Sequence, residues 1–317
     1  MSVRLRLIAT LLALTAWSTA CSSPSAMQQF TPAVPATTVA APTATLDPYI
    51  TMTGLVVAPH GAVWFSLGNS DFHNPAAGGV SRYAQGHLTR FTIDDGLPNA
   101  NVQALAIAPD GLVWMGAAGC IVARYDGQAW ETLSADCSSI GGNVVDFAFT
   151  PDGGVWVATG MDVARFDGRS WTRFGQYTGW LAVAPDGTLW AKSWEWGDTE
   201  LSEYVTRFDG EKWAIVDRLP IGKLFPGPDG RVWANLTGGY SEQARLVHFD
   251  GQAWEPVPGP RFTSLLELAV APNGELWAMT DQGFFRYDGA TWPYAGVRPR
   301  GITRFAFAAD GSIWKKP

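Results

Sequence analysis

The residues with chemical potential in this 317-residue chain are scattered. His73 stands in "SLGNSDFHNPAAGG" (66–79), two residues after Asp71. A loop histidine acting with a carboxylate such as Glu267 would be the acid/base pair of a lyase. No Ser/His/Asp order, close carboxylate pair with a defined partner, or metal-ligand spacing accompanies it. No metal or cofactor is expected. A second group is aromatic. It stands on two long connections, "KSWEWGDTELSEY" (192–204) with Trp194 and Trp196, and "NLTGGYSEQA" (235–244) with Tyr240, both read as loops. Exposed aromatics of this kind suit recognition of a ligand or partner. A third group is charged. Six residues before a recurring turn position stand Gly54, Ala104, Asp146, Trp180, Lys223, Glu267 and Arg304. Four of them are charged within otherwise apolar segments, which suits either a solvated rim or a polar ligand site.

The recurring position belongs to a phrase written seven times, from "APHGAVW" (58–64) and "APDGLVW" (108–114) to "AADGSIW" (308–314). Its tryptophans are Trp64, Trp114, Trp156, Trp190, Trp233, Trp277 and Trp314, 34 to 50 residues apart. A second phrase alternates with it: "RYDGQAW" (124–130), "RFDGRSW" (165–171), "RFDGEKW" (207–213), "HFDGQAW" (248–254) and "RYDGATW" (286–292), with a degenerate "RYAQGHL" (82–88). A period near forty built from short strands is the signature of propeller blades. Both phrases read as tight hairpin turns. In the second, Asp-Gly predicts a two-residue turn with positive φ at both positions. Each repeat therefore holds four strands, A to D. In the second repeat these fall at about 102–108, 112–117, 121–126 and 129–133.

Strand A alternates large and small residues, as in Leu105 and Ile107 against Ala106 and Ala108. Strand side chains point to opposite faces, so one face of each blade is bulky and the other flat. Neighbouring blades can nest, with the strand-B tryptophans filling the gaps. The expected fold is an all-β propeller of four-stranded antiparallel blades. Seven blades are expected, six complete (52–92, 102–133, 143–174, 179–216, 222–257, 264–295) and a partial seventh from 302; six blades is the alternative.

"DGLPNANVQALAIAPDGLVWMGAAGCIVARYDGQAWETL" (95–133) resembles the two-component-regulator propeller repeat, as do its diverged copies over 52–317. The resemblance implies an extracytoplasmic sensor-type or free-standing exported propeller. A looser likeness to streptogramin-lyase propellers rests on the shared "DG-x-x-W" turn. The sialidase Asp-box places its glycine one residue later and is a poorer match.

The N-terminus carries Arg4 and Arg6, then the apolar run "LIATLLALTAW" (7–17), then "STAC" ending at Cys21. This reads as a signal peptide over 1–20, too short to span a bilayer permanently. "STAC" resembles the lipobox of bacterial lipoproteins, with Ser18 where that motif usually has Leu. Cys21 is thus the expected lipid attachment site, and ordinary cleavage near Ala20 is the alternative. Residues 21–48, rich in Ser, Thr, Ala and Pro, read as a tether, and 49–317 as the propeller. The expected location is outside the cytoplasm on a bacterial membrane, or else secreted. Contact with the membrane runs through lipid only. A net charge of −7 argues against nucleic acid. Cys120 and Cys137, the two remaining cysteines, are expected to form a disulfide in an oxidising compartment.

Strands B–C and D–A are joined on one face of the disc, which holds the long loops. Function is expected there, with a small molecule, glycan or protein as ligand. The expected contact residues are Asp71, His73, Asp146, Trp180, Trp194, Trp196, Lys223, Tyr240, Glu267 and Arg304. A propeller enzyme of lyase or hydrolase type is the alternative.

Overall fold

A computed structural model of the chain describes residues 50–69, 78–197, 201–227, 229–236, 245–257, 265–271, 273–297, 304–307, 311 and 313–316. Blade one comprises β1 (Ile50–Val57), β2 (Val63–Asn69), β3 (Gly79–Ala84) and β4 (His87–Phe91). Blade two comprises β5 (Val102–Ile107), β6 (Val113–Ala117), β7 (Ile121–Tyr125) and β8 (Trp130–Ser134), followed by the short helix α1 (Cys137–Ile140). Blade three is β9 (Asp146–Phe149), β10 (Val155–Ala158), β11 (Val163–Phe166) and β12 (Trp171–Arg173). Blade four is β13 (Thr178–Val183), β14 (Leu189–Trp196), β15 (Leu201–Phe208) and β16 (Trp213–Asp217). Blade five is β17 (Ile221–Pro226), β18 (Val232–Leu236), β19 (Arg245–Phe249) and β20 (Trp254–Pro256). Blade six is β21 (Leu265–Val270), β22 (Leu276–Thr280), β23 (Phe284–Arg286) and β24 (Tyr294–Gly296).

Each blade is a four-stranded antiparallel meander in chain order. Among the described residues the four-stranded blades number six, as expected for the complete ones, and the expected seventh is not a blade. The last described strands, β25 (Arg304–Phe307) and β26 (Ile313–Lys316), form a sheet of two. That pair is less than a blade because only its first hairpin is present among the described residues. β25 lies beside both β21 and β1. First strands of other blades likewise lie side by side, as β1 does with β5 and β9 with β13. The first strands therefore line the centre.

The alternation in strand A does what its pattern predicts. Trp114 packs against Phe147, Val155 and Val157 of the next blade. Trp156 packs against Leu181, Leu189 and Ala191, and Trp190 against Leu224, Val232 and Ala234. Each tryptophan fills the space between a flat alanine face and the bulky face of its neighbour. The arginine of the second phrase has a role that the sequence did not reveal. It pairs across the strands with the tryptophan, as Arg124 with Trp114 and Arg165 with Trp156. Its guanidinium carbon lies 5.8 Å from the ring centre at Trp64 and Trp156, and 5.9 Å at Trp114 and Trp190. This is cation–π distance. In blade five His248 replaces the arginine and meets Trp233 edge-on at 5.5 Å.

The Asp-Gly turns differ from expectation. Only the glycine has positive φ, for example 101° at Gly127. The aspartate instead accepts two backbone N–H groups, those of Gln128 and Ala129 on Asp126 Oδ1. Each such turn thus spans four residues between paired Tyr125 and Trp130. A two-residue turn with two positive φ values occurs in the degenerate copy, at Gln85 (52°) and Gly86 (82°).

Candidate functional site

The long connection expected over 192–204 is mostly strand. β14 runs on to Trp196 and pairs with β15 as Lys192↔Val205, Trp194↔Glu203 and Trp196↔Leu201. β13 pairs with β14 only as far as Ser193, and β16 pairs with β15 only from Val205 onward. The distal half of the hairpin, Trp194–Trp196 with Leu201–Tyr204, therefore projects past its neighbours in the sheet. The sequence signal was the spacing Lys192-x-Trp194-x-Trp196, which is period two.

That spacing puts Lys192, Trp194 and Trp196 on one face, together with Leu201 and Glu203. Lys192 is 7% exposed and sits 2.8 Å from Glu203 Oε1. Its ammonium also lies 5.6 Å from the centre of the Trp180 ring. Trp180 is 39% exposed at the central end of β13, and Trp196 is 72% exposed near the hairpin tip. Between them the Trp194 indole lies against Gly179, where an added Cβ would come within 2.8 Å of Cζ3. Gly179 is the extra residue of a β-bulge between Thr178 and Trp180, and bulges re-aim side chains.

The opposite face of the hairpin is braced differently. Arg218 donates to Glu195 at 3.0 Å and stacks over Tyr204, 5.5 Å from its ring centre. Burial, and then the Glu195 carboxylate, push the Tyr204 phenol above its ordinary pKa, while Arg218 pulls it the other way. Nearer the centre Gln176 donates to Thr206 at 2.8 Å, and the Ser193 and Thr206 hydroxyls are 3.0 Å apart. Lys192, Glu203, Tyr204 and Arg218 were not singled out from the sequence. They sit within or beside ordinary strand spacing and are marked only by their partners.

Three of the charged rim residues, Asp146, Lys223 and Glu267, bond to neighbouring blades. Asp146 accepts from the Leu181 backbone N–H at 3.0 Å. Lys223 donates to Glu267 Oε1 at 3.1 Å, linking blades five and six. Glu267 is well covered, its side chain 14% exposed. Arg304 begins β25, opposite Lys316. Asp71, His73, Tyr240 and Cys21 lie outside the described residues. Cys120 and Cys137 are joined as a disulfide with Cα atoms 5.1 Å apart. It ties the turn after β6 to α1, whose N-terminus Asp136 caps by accepting from Ser138 and Ser139 N–H. Among the described residues no His/Cys/Asp/Glu group is placed to hold a metal. No helix among them is long and apolar enough to cross a membrane.

No family model matches the chain, and no curated protein matches it. Solved structures do. Virginiamycin B lyase from Staphylococcus aureus superposes with a TM-score of 0.60 at 17% identity, over 83% of this chain and 90% of the lyase. YCF48, solved bound to D1 peptide, gives 0.59 at 16% identity, over 83% of this chain and 87% of that one. The extracellular domain of a hybrid two-component system from B. thetaiotaomicron gives 0.59 at 11% identity, over 83% of this chain and 38% of that one. Lyase propellers and two-component-system propellers, the two likenesses carried by the repeats, are thus both among the matching structures, and what this chain shares with them at these identities is the β-propeller fold.

Proposed function

We propose that the protein is a recognition module, exported and held at a membrane through lipid on Cys21, which binds its ligand or partner on the blade-four hairpin. The observation that carries this reading is the exposed face of β14. It presents Trp196 at 72% exposure on a ribbon that projects beyond its sheet, with Trp194 and Trp180 inward along the same face. Rigid aromatic anchors of this kind dominate binding energies elsewhere. YCF48, which shares the fold, is solved with a peptide bound, so the scaffold is compatible with recognition. Asp146, Lys223 and Glu267 are in this reading a secondary set at the channel mouth, already engaged between blades.

The test is a ligand screen by thermal shift, followed by affinity measurements on variants. Trp194→Ala and Trp196→Ala should each weaken a hit by about 1–3 kcal/mol. Gln128→Ala, in a turn on the opposite face, should leave affinity unchanged. Loss at Gln128 with no loss at the tryptophans would place the site on the other face and sink the reading. The anchor is tested separately: Cys21→Ala should move the protein out of the membrane fraction.

A further inference from the structure

We propose that the loop face over blades three and four rests on the surface of the lipid bilayer to which the chain is anchored; this rests on the anchored recognition reading above and names the partner of its aromatic face. Twelve large apolar side chains are exposed among the described residues. All but Leu88, Ile215, Val270 and Tyr294 sit in or beside B–C and D–A connections. The densest group belongs to blades three and four. Val145 N–H donates to the Ala158 carbonyl at 2.8 Å, Gly160 N–H to that of Thr178 at 2.9 Å, and Trp194 N–H to that of Tyr177 at 3.2 Å. These bonds bring Val145, Met161, Tyr177 and Trp180 beside the β14–β15 hairpin, where Trp196 pairs with Leu201. All six side chains are exposed, Met161 by 68%. A contiguous apolar surface of this kind marks an interaction site.

Two observations select a bilayer as the occupant. The first is where the tether joins the propeller. Ile50 opens β1 opposite Asn69, the last residue of β2. The chain therefore enters at the B–C end, on the same face as the apolar group. Cys21 lies 29 residues before Ile50. A flexible chain of that length spans roughly 30 Å, so lipid on Cys21 draws this face, and not the tight-turn face, toward the bilayer. The second is charge. Asp162–Arg173, Lys192–Glu203 and Glu195–Arg218 pair at 2.6, 2.8 and 3.0 Å. These pairs cancel, and a zwitterionic surface suits them. Trp and Tyr settle at headgroup level, with the apolar body toward the acyl chains and the polar tip in water. Asp198 and Glu200 stand between Trp196 and Leu201 in the sequence, which keeps the contact at that level rather than in hydrocarbon. The patch thus adds a protein contact to the lipid and sets which face the anchored propeller turns outward.

The test uses the full chain and vesicles of phosphatidylcholine brominated near the headgroup end of its acyl chains, which quench only tryptophans that reach them. Wild type should be quenched. Trp196→Phe should remove most of that quenching and leave the thermal midpoint unchanged. In a Cys21→Ala background, where no lipid holds the protein, Met161→Ser with Trp196→Ser should lower sedimentation with plain phosphatidylcholine vesicles by roughly tenfold. Leu88→Ser with Ile215→Ser, away from this face, should not change it. Absence of quenching in wild type, or quenching that Trp196→Phe leaves intact, overturns the inference, as does binding that requires phosphatidylglycerol. If it is overturned while Trp196→Ala still weakens a soluble hit, the face takes a ligand or a protein and the recognition reading stands. If Trp196 is quenched and Trp196→Ala affects no soluble hit, the bilayer is the partner and the ligand reading falls.

Discussion

Trp156→Ala tests whether the tryptophans between blades carry the fold. Trp156 is 2% exposed and touches Phe174 and Phe208 at ring distances of 5.1 and 4.9 Å. A buried tryptophan removes about 150–250 Å² from water, or about 4–6 kcal/mol at about 25 cal/mol/Å². That is an upper bound because the unfolded chain already hides part of this area. Its Nε1 donates to Thr150 Oγ1, which also bonds Asp152 and the Gly154 carbonyl, so deletion strands no buried partner. The expected loss is therefore about 3–5 kcal/mol, the usual range for Trp→Ala in a core. Arg165→Met, which removes the stacking cation and its ion pair with half-exposed Asp152, should cost much less, about 1–2 kcal/mol. Urea denaturation gives both numbers. Hydrogen exchange localises them, with protection lost first in β10 and β14 and retained in β6. A loss below about 1.5 kcal/mol for Trp156→Ala, or one no larger than that of Arg165→Met, would refute the account of the interface.

Three further outcomes follow from other contacts. Asp126, Asp167, Asp209, Asp250 and Asp288 all have carboxyls held below the ordinary pKa, chiefly by the two turn N–H groups each accepts. Their folded pKa is depressed, so their contribution is complete above the unfolded value and is lost as pH falls through the folded one. Thermal stability should drop between about pH 5 and pH 3, and replacing these residues by Asn should flatten that dependence. The Cys120–Cys137 bond closes a separation of 17 residues, so the Cys120→Ser/Cys137→Ser double variant should lose about 3 kcal/mol; two free thiols in non-reducing mass spectrometry of the native protein would contradict the bond. Glu203→Gln leaves Lys192 buried without its carboxylate and should cost about 1–3 kcal/mol, reduced by the partial exposure of Glu203; the Lys192→Met/Glu203→Met pair should recover most of it, which urea midpoints will report.

The fold was legible because its determinants are local and repeated. Asp-Gly and Pro-Asp-Gly turns fix each hairpin, and Leu105 against Ala106 fixes which blade face is bulky. The strand limits of blade two, Val102–Ile107 through Trp130–Ser134, match the turn spacing almost residue for residue. Turn geometry was less legible. Asp-Gly was read as a backbone preference, whereas Asp126 acts through its carboxylate. The hairpin at 192–204 was read as a long loop between strands, while the period of Lys192, Trp194 and Trp196 is that of a strand. The rim charges were visible in the sequence but their partners were not. Lys223 and Glu267 are 44 residues apart, and only the ring geometry of the blades brings them together.

The outer hairpin of blade four is supported on both of its faces. A two-stranded ribbon is marginal in water by itself, yet this one extends past its sheet. Lys192 and Glu203 clamp one face across the strands. On the other face Arg218 reaches up from the turn after β16 to hold Glu195 and cover Tyr204. Burial and the Glu195 carboxylate raise the pKa of the Tyr204 phenol, and Arg218 opposes them. Gly179 lets the Trp194 ring lie close to the backbone, where any larger residue would lift it. In the proposed recognition role, indoles held in this way spare the ordering entropy that a flexible loop would lose on binding. A merely decorative extension would need neither ion pair. With one on each face, the ion pairs fix the strand that carries Trp194 and Trp196 from both sides.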